Sequence, residues 1–185
     1  MKNMFYLKVP RERIAVIIGT EGRTKRRIEK RAGVKLEIDS KNGEVNIVDE
    51  NADPILALKV RDVVKAIGRG FSPRRAESLF SDDAYLEVLD IREYSGKNIK
   101  RVNQIRGRVI GRDGRTREMI EEYTEAEISI YGNTVAIIGT LEAVDASKHA
   151  VDMLLSGSRH GSVYRYLDRR RRKQKQKEFQ ELIAG

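Results

Sequence analysis

Hydrophobic and polar positions along the chain switch between a two-residue and a three-to-four-residue period, and the switches mark the elements. Met4–Val9 alternates in part and predicts a strand closed by Pro10. Ile14, Ile17 and Ile18 fall on one face of a short helix over Arg11–Ile18, which Gly19-Thr20-Glu21-Gly22 interrupts. Arg23–Arg31 resumes a helix, basic outside, with Ile28 inside. Val34–Ile38 alternates strictly, Lys41-Asn42-Gly43-Glu44 carries an Asn-Gly hairpin signal, and Val45–Val48 is the return strand. Asp53-Pro54 supplies an N-cap followed by proline at the first helical position, opening a long helix to about Gly68.

The same order then recurs. A strand over Tyr85–Ile91 precedes a helix over Asn98–Ile110, a break at Gly111-Arg112-Asp113-Gly114, and a helix over Arg115–Tyr123. Ala126–Tyr131 and Thr134–Ile138 form a hairpin over Gly132-Asn133, and Leu141–Leu155 is a closing helix ended by Gly157. The repeat is visible residue by residue. Positions 17–24 read IIGTEGRT and positions 109–116 read VIGRDGRT, and at the same offset Ile28 matches Ile120, Leu36 matches Ile128 and Ile38 matches Ile130. Each copy is β-α-α-β-β-α with a G-x-x-G corner between its first two helices, which is the pattern of a KH module. The expected fold is α+β: two tandem type I KH domains packed as a compact pair, with a C-terminal helical tail. The expected spans are 1–72 for the first module, 73–84 for a short connecting helix opened by Ser72-Pro73, 85–158 for the second module and 159–185 for a basic tail.

The corner carries the candidate chemistry. Glycine lets the chain turn sharply and a phosphate approach closely, and the helix that starts at the second glycine offers free N–H groups and the positive end of its dipole. The candidate RNA contacts of the first copy are Gly19, Thr20, Gly22, Arg23, Lys25 and Arg26. Those of the second are Arg106, Arg108, Gly111, Arg112, Asp113, Gly114, Arg115, Thr116 and Arg117, with Ile110 and Ile128 as apolar groove floor. Ile120 fits the core better than the groove. Glu21 puts a carboxylate where a phosphate would sit, whereas Arg112 offsets Asp113, so the second copy is expected to be the principal RNA groove.

Composition narrows the partners. The chain of 185 residues carries +9 overall, which favours a polyanion but equally describes a highly charged solvated surface. The charge is uneven: +7 over residues 1–80, −4 over 81–158 and +6 over 159–185. Binding by the second copy must therefore come from local arrangement. Aromatic residues are only 6% with no Trp, which disfavours a stacking platform. Cysteine is absent, removing disulfides, thiolate metal sites and cysteine nucleophiles. His149 and His160 have no nucleophile partner, Asp82-Asp83 reads as loop punctuation, and no Gly-Lys-Ser/Thr follows either corner, so neither an enzyme nor a cofactor is expected. No leader or membrane span is evident, so the chain reads as cytoplasmic and off the membrane. The Arg169–Lys173 run reads as a solvated, mobile end, with an RNA anchor as the alternative.

Three segments carry a closer likeness: Lys65-Ala66-Ile67-Gly68-Arg69-Gly70-Phe71-Ser72-Pro73, Asp90-Ile91-Arg92-Glu93-Tyr94 and Arg106–Thr116. Over nearly its whole length the chain resembles the archaeal and eukaryotic KH ribosome-biogenesis factors known as partner of NOB one, or Dim-two. The Gly-Arg-Gly-Phe linker is the most specific piece. The resemblance implies binding of single-stranded small-subunit rRNA near its 3′ end, chiefly through the second KH domain, in rRNA processing and small-subunit assembly. It implies a NOB-type endonuclease and the alpha subunit of translation initiation factor two as partners. The short chain points to the archaeal form. The competing reading is a KH-type adaptor acting mainly through protein contacts in translation initiation or RNA turnover.

Overall fold

The computed structural model describes residues 2–49 and 53–184. It divides into two units, Met1–Leu86 and Glu87–Gly185.

In the first unit β1 (Lys2–Lys8), β2 (Val34–Asp39) and β3 (Glu44–Asp49) form a sheet of order β1-β3-β2, both pairings antiparallel. Alternation along β2 translates directly: Val34 and Leu36 are buried while Lys35 and Glu37 face solvent. The hairpin turn is held by Asp39, whose carboxylate accepts from the Lys41 and Asn42 amides and from the Asn42 side chain. Those bonds, the one from Lys41 first, keep its pKa below the ordinary carboxylate value. Helices α1 (Arg11–Ile18), α2 (Arg23–Ala32) and α3 (Pro54–Gly68) bury Ile14, Ile17, Ile28, Val60, Val63, Val64 and Ile67, whereas Ile18 is only half-buried. Asp53 caps α3 by accepting from the Ile55 amide. The connecting segment is a four-residue helix, α4 (Pro73–Ala76), continued by a 3-10 turn over Glu77–Phe80. Phe71, Ala76, Leu79 and Phe80 are buried. Arg13 donates to the carbonyls of Ile67 and Phe71, both at 2.8 Å. This segment is thus part of the first unit's body.

The second unit repeats the plan with β4 (Tyr85–Asp90), β5 (Glu127–Tyr131) and β6 (Thr134–Gly139) in the order β4-β6-β5. Central β6 is buried from Thr134 to Ile138, as its unbroken apolar run requires. A one-turn helix not signalled by the apolar pattern, α5 (Arg92–Ser95), precedes α6 (Ile99–Ile110), α7 (Arg115–Thr124) and α8 (Leu141–Leu155). The caps are local: Asn98 accepts from the Arg101 amide and Thr140 from the Ala143 amide. The tail is one helix, α9 (His160–Ala184), whose Val163 and Leu167 are buried in the second unit's core. Arg170 donates to the Glu142 carbonyl, and Arg171 lies 5.0 Å from the Tyr123 ring and 3.8 Å from Glu122. Within the run expected to be solvated, Arg170 and Arg171 are therefore held against this unit, whereas Arg169, Arg172 and Lys173 are exposed. Arg170 and Arg171 are held because Tyr123, Glu122 and the Glu142 carbonyl offer their guanidinium groups partners.

Candidate nucleic-acid interface

The two G-x-x-G corners have one backbone conformation. Gly111 has φ 75°, Asp113 φ 52° and Gly114 φ 78°; Gly19, Glu21 and Gly22 have 74°, 52° and 73°. The two glycines of the second corner are needed for different reasons. A Cβ on Gly111 would lie 2.1 Å from Thr116 Oγ1 and 2.8 Å from the Thr116 backbone nitrogen. At Gly114 the nearest atom would be 3.8 Å away, so that face is open. Gly111 lets the corner close onto α7, and Gly114 leaves clear the approach to the helix start. No side chain caps α7 at Gly114 or α2 at Gly22.

The side chains separate the copies. Arg112 and Arg115 are exposed at the second corner, and among the described residues they have no ion-pair partner. In the first copy Arg23 pairs with Glu21 at 3.0 Å, Lys25 with Glu29 at 3.7 Å, and the Arg26 guanidinium lies over Gly22. Thr20 is exposed. Positive charge is thus free at the second corner and largely committed at the first.

Several expected contacts sit elsewhere. Ile128 is fully buried in the core with Ile120, so it cannot serve as groove floor; only Ile110 of that pair is half-exposed. Thr116 is buried beneath Gly111, with its hydroxyl 3.4 Å from Tyr164 Oη, so it packs the corner instead of presenting a contact. Arg117 is drawn toward Glu118 and Glu121, at 3.8 and 4.0 Å. Arg108 donates to the Ser158 carbonyl and ties the start of α9 to α6, and Arg106 donates to the Gly132 carbonyl at 3.2 Å, tying α6 to the hairpin turn.

Two features escape sequence reasoning. The first is an open depression of about 460 Å³ beside the corner, where Gln104, Arg112 and Arg115 meet His160 and Tyr164 of α9. His160 Nε2 lies 3.0 Å from the Arg108 carbonyl oxygen, which fixes the imidazole at the rim. The second is the treatment of edge strand β5. Glu121 accepts from the Ile128 amide at 2.7 Å, and Glu29 accepts from the Leu36 amide at 2.8 Å in the other copy. Strand groups alternate between the two edges, so the outward position after Ile128 is Ile130. Among the described residues no group of His, Asp and Glu could hold a metal, and no helix is long and apolar enough to cross a membrane.

Comparison with known proteins agrees with this architecture. The family described as "Eukaryotic type KH-domain (KH-domain type I)" matches residues 85–172, and the family "KH domain" matches residues 4–55. The KH domain-containing protein MJ0443 of Methanocaldococcus jannaschii is 46% identical over 181 residues, covering 97% of this chain and 79% of that protein. The pre-rRNA-processing protein pno1 of Emericella nidulans is 32% identical over 133 residues, covering 71% of this chain and 52% of that protein. The chain thus spans about half the length of that fungal relative. A chain in the crystal structure of an a/eIF2alpha-aDim2p-rRNA complex from Pyrococcus horikoshii OT3 superposes with a TM-score of 0.85 at 48% identity, covering 91% of this chain and 94% of that one.

Proposed function

The chain belongs to the archaeal branch of the partner-of-NOB-one, or Dim-two, family of KH ribosome-biogenesis factors, and from that premise we propose that it binds single-stranded small-subunit rRNA near its 3′ end through the corner of its second module. The observation that carries the reading is the free positive charge of Arg112 and Arg115 at an uncapped helix start, on a corner whose Gly114 face is open. Phosphates seat on the α7 amides with those two guanidinium groups alongside. Ile110 supplies the apolar floor, and the Ile130 amide and carbonyl on the β5 edge meet a base edge. Arg106 and Arg108 shape the groove from behind.

The chain acts as a binder, not a catalyst, in rRNA processing and small-subunit assembly in the cytoplasm. It positions the 3′ region for a NOB-type endonuclease and associates with the alpha subunit of translation initiation factor two. The a/eIF2alpha in the Pyrococcus complex that holds the similar chain supports the second association. The first corner, with Arg23 and Lys25 committed to carboxylates, has the subsidiary role.

The test is titration of the full chain with an RNA oligonucleotide carrying the small-subunit 3′ end and with a scrambled control. Arg112→Asp is expected to lower affinity for the specific RNA by roughly ten-fold or more, and Thr20→Asp by roughly three-fold or less. Equal losses, or no preference over the scrambled RNA, refute the assignment.

A further inference from the structure

The depression of about 460 Å³ beside the second corner has one wall that the KH plan does not supply, because α9 lies outside the β-α-α-β-β-α repeat. The other wall includes one face of α6. Gln104, Arg108 and Gly111 fall on it at i, i+4 and i+7, roughly a third of a turn round the helix from Ile110. The depression therefore adjoins the groove floored by Ile110 without being part of it. Across Gln104 and Arg108 it meets a second depression of about 270 Å³, lined by the exposed Arg101. A strand can thus enter past the corner and leave past Arg101.

The α9 wall is fixed before anything binds. Val163 and Leu167 anchor it in the core, and Arg108 donates to the Ser158 carbonyl at its start. His160 Nε2 donates to the Arg108 carbonyl at 3.0 Å, and the Tyr164 hydroxyl lies 3.4 Å from Thr116 Oγ1. The His160 and Tyr164 rings stand 6.3 Å apart with their planes 58° from parallel. They are too tilted to stack on one another, and both are only half-buried. Among the described residues the side-chain amide of the exposed Gln104 has no hydrogen-bond partner, and Arg101, Arg112 and Arg115 have no ion-pair partner. Among those residues no carboxylate lines the depression, although residues 81–158 carry −4 overall. The first copy does not repeat this chemistry: 92 residues earlier, Glu12 stands for Gln104 and Thr20 for Arg112.

We propose that this depression seats one unstacked base, adenine by preference, from the nucleotide next to those held in the second groove. The inference rests on the reading that the second corner binds RNA. The base stacks on the Tyr164 ring, which supplies affinity. Gln104 offers one donor and one acceptor side by side, the complement of the N6 and N7 edge of adenine. Arg112 and Arg115 take the phosphates that flank the base. A phosphate alone would leave the rings and the amide without a role. A protein side chain would not call for a row of unpaired guanidinium groups.

The test is abasic scanning with the full chain. An RNA oligonucleotide carrying the small-subunit 3′ end is made as a set in which each nucleotide in turn lacks its base, and affinities are read by fluorescence anisotropy. Wild type is expected to lose affinity at the groove positions and, by about ten-fold, at one flanking position. At that position Tyr164→Leu is expected to lose roughly two-fold or less, with the losses at groove positions unchanged. Tyr164→Phe keeps the ring and is expected to reproduce the wild-type profile. Gln104→Ala alters only an exposed side chain and is expected to keep the wild-type thermal midpoint. With the four bases compared at the flanking position, it is expected to cut the advantage of adenine from roughly ten-fold to roughly two-fold or less. The pocket is overturned if no flanking position is silenced by Tyr164→Leu. Its adenine preference is overturned if wild type shows none there or if Gln104→Ala leaves it intact. If no groove positions appear and Arg112→Asp spares affinity, the second-corner reading itself falls. If groove positions appear and weaken with Arg112→Asp while none answers to Tyr164, the corner stands and the pocket alone falls.

Discussion

Replacing either glycine of the second corner by alanine adds one methyl group, yet the two substitutions should act on different properties. Gly111→Ala forces an L-residue into φ 75°, ψ 175°, a region that costs non-glycine residues about 1–3 kcal/mol. The new methyl would lie 2.1 Å from Thr116 Oγ1, 2.7 Å from Thr116 Cβ and 2.8 Å from the Thr116 nitrogen. Rotating the threonine side chain relieves only the first contact; the others require α7 to shift, and overpacking of this kind costs about 1–3 kcal/mol more. The expected loss is therefore about 3 kcal/mol or more. Gly114→Ala meets nothing closer than 3.8 Å and has a left-handed φ of 78°, ψ 4°, so its cost is about 1 kcal/mol. Its methyl instead stands where the RNA backbone approaches, and affinity should fall more than stability does. Urea unfolding followed by tyrosine fluorescence suits the comparison, because Tyr94, Tyr123, Tyr131, Tyr164 and Tyr166 all belong to the second unit and there is no Trp. Thr116→Ala should fail to rescue Gly111→Ala, since Cβ and the backbone nitrogen remain. Equal destabilisation by the two glycine variants, or a full rescue, would refute the steric argument.

Three further outcomes follow from other contacts. Glu121→Ala should destabilise the second unit by about 1–3 kcal/mol, because it strips the partner from the part-buried Ile128 amide; unchanged unfolding would show that water replaces the carboxylate. Leu167→Ala should cost about 2–5 kcal/mol, as expected for a core position and not for a solvated tail. Burial, then the hydrogen bond with Asp152, raises the Tyr94 hydroxyl pKa to about 12. The folded state therefore holds this proton more tightly than the unfolded chain. The stabilisation is fully present below pH 10 and disappears as pH rises from about 10 to 12, and Tyr94→Phe should flatten that decline in a pH series of unfolding midpoints.

Local rules were enough for the element order. Proline and glycine punctuation, alternation in β2 and the caps at Asp53, Ser72, Asn98 and Thr140 all act between near neighbours. What escaped them depends on distance in space. Ile128 and Ile130 share one parity of β5, and no periodicity separates the residue sealed under the helices from the one nearer the rim. Thr116 looked like a downstream polar contact because its packing against Gly111, five residues earlier, is set by the left-handed corner between them. Arg108 and Arg117 counted as free charge in the sequence, whereas Ser158, Glu118 and Glu121 claim them in the fold. Arg112 and Arg115, by contrast, sit on the corner itself and are exposed. The anchored start of α9 was missed because Val163 and Leu167 alone make too short an apolar stripe amid a highly charged segment.

The carboxylate that each copy places on its own outer strand, seven residues away in the chain, bears on how a duplicated sequence avoids confusion during synthesis. Two hairpins of the same topology in one polypeptide invite strand exchange, within a molecule or between molecules, and a bare amide row is the template for it. Glu29 and Glu121 are close enough in sequence to claim the Leu36 and Ile128 amides early, before distant pairings form. Each hairpin thus arrives with one outward amide of its edge strand already taken, which leaves the wrong twin a shorter row of donors to join.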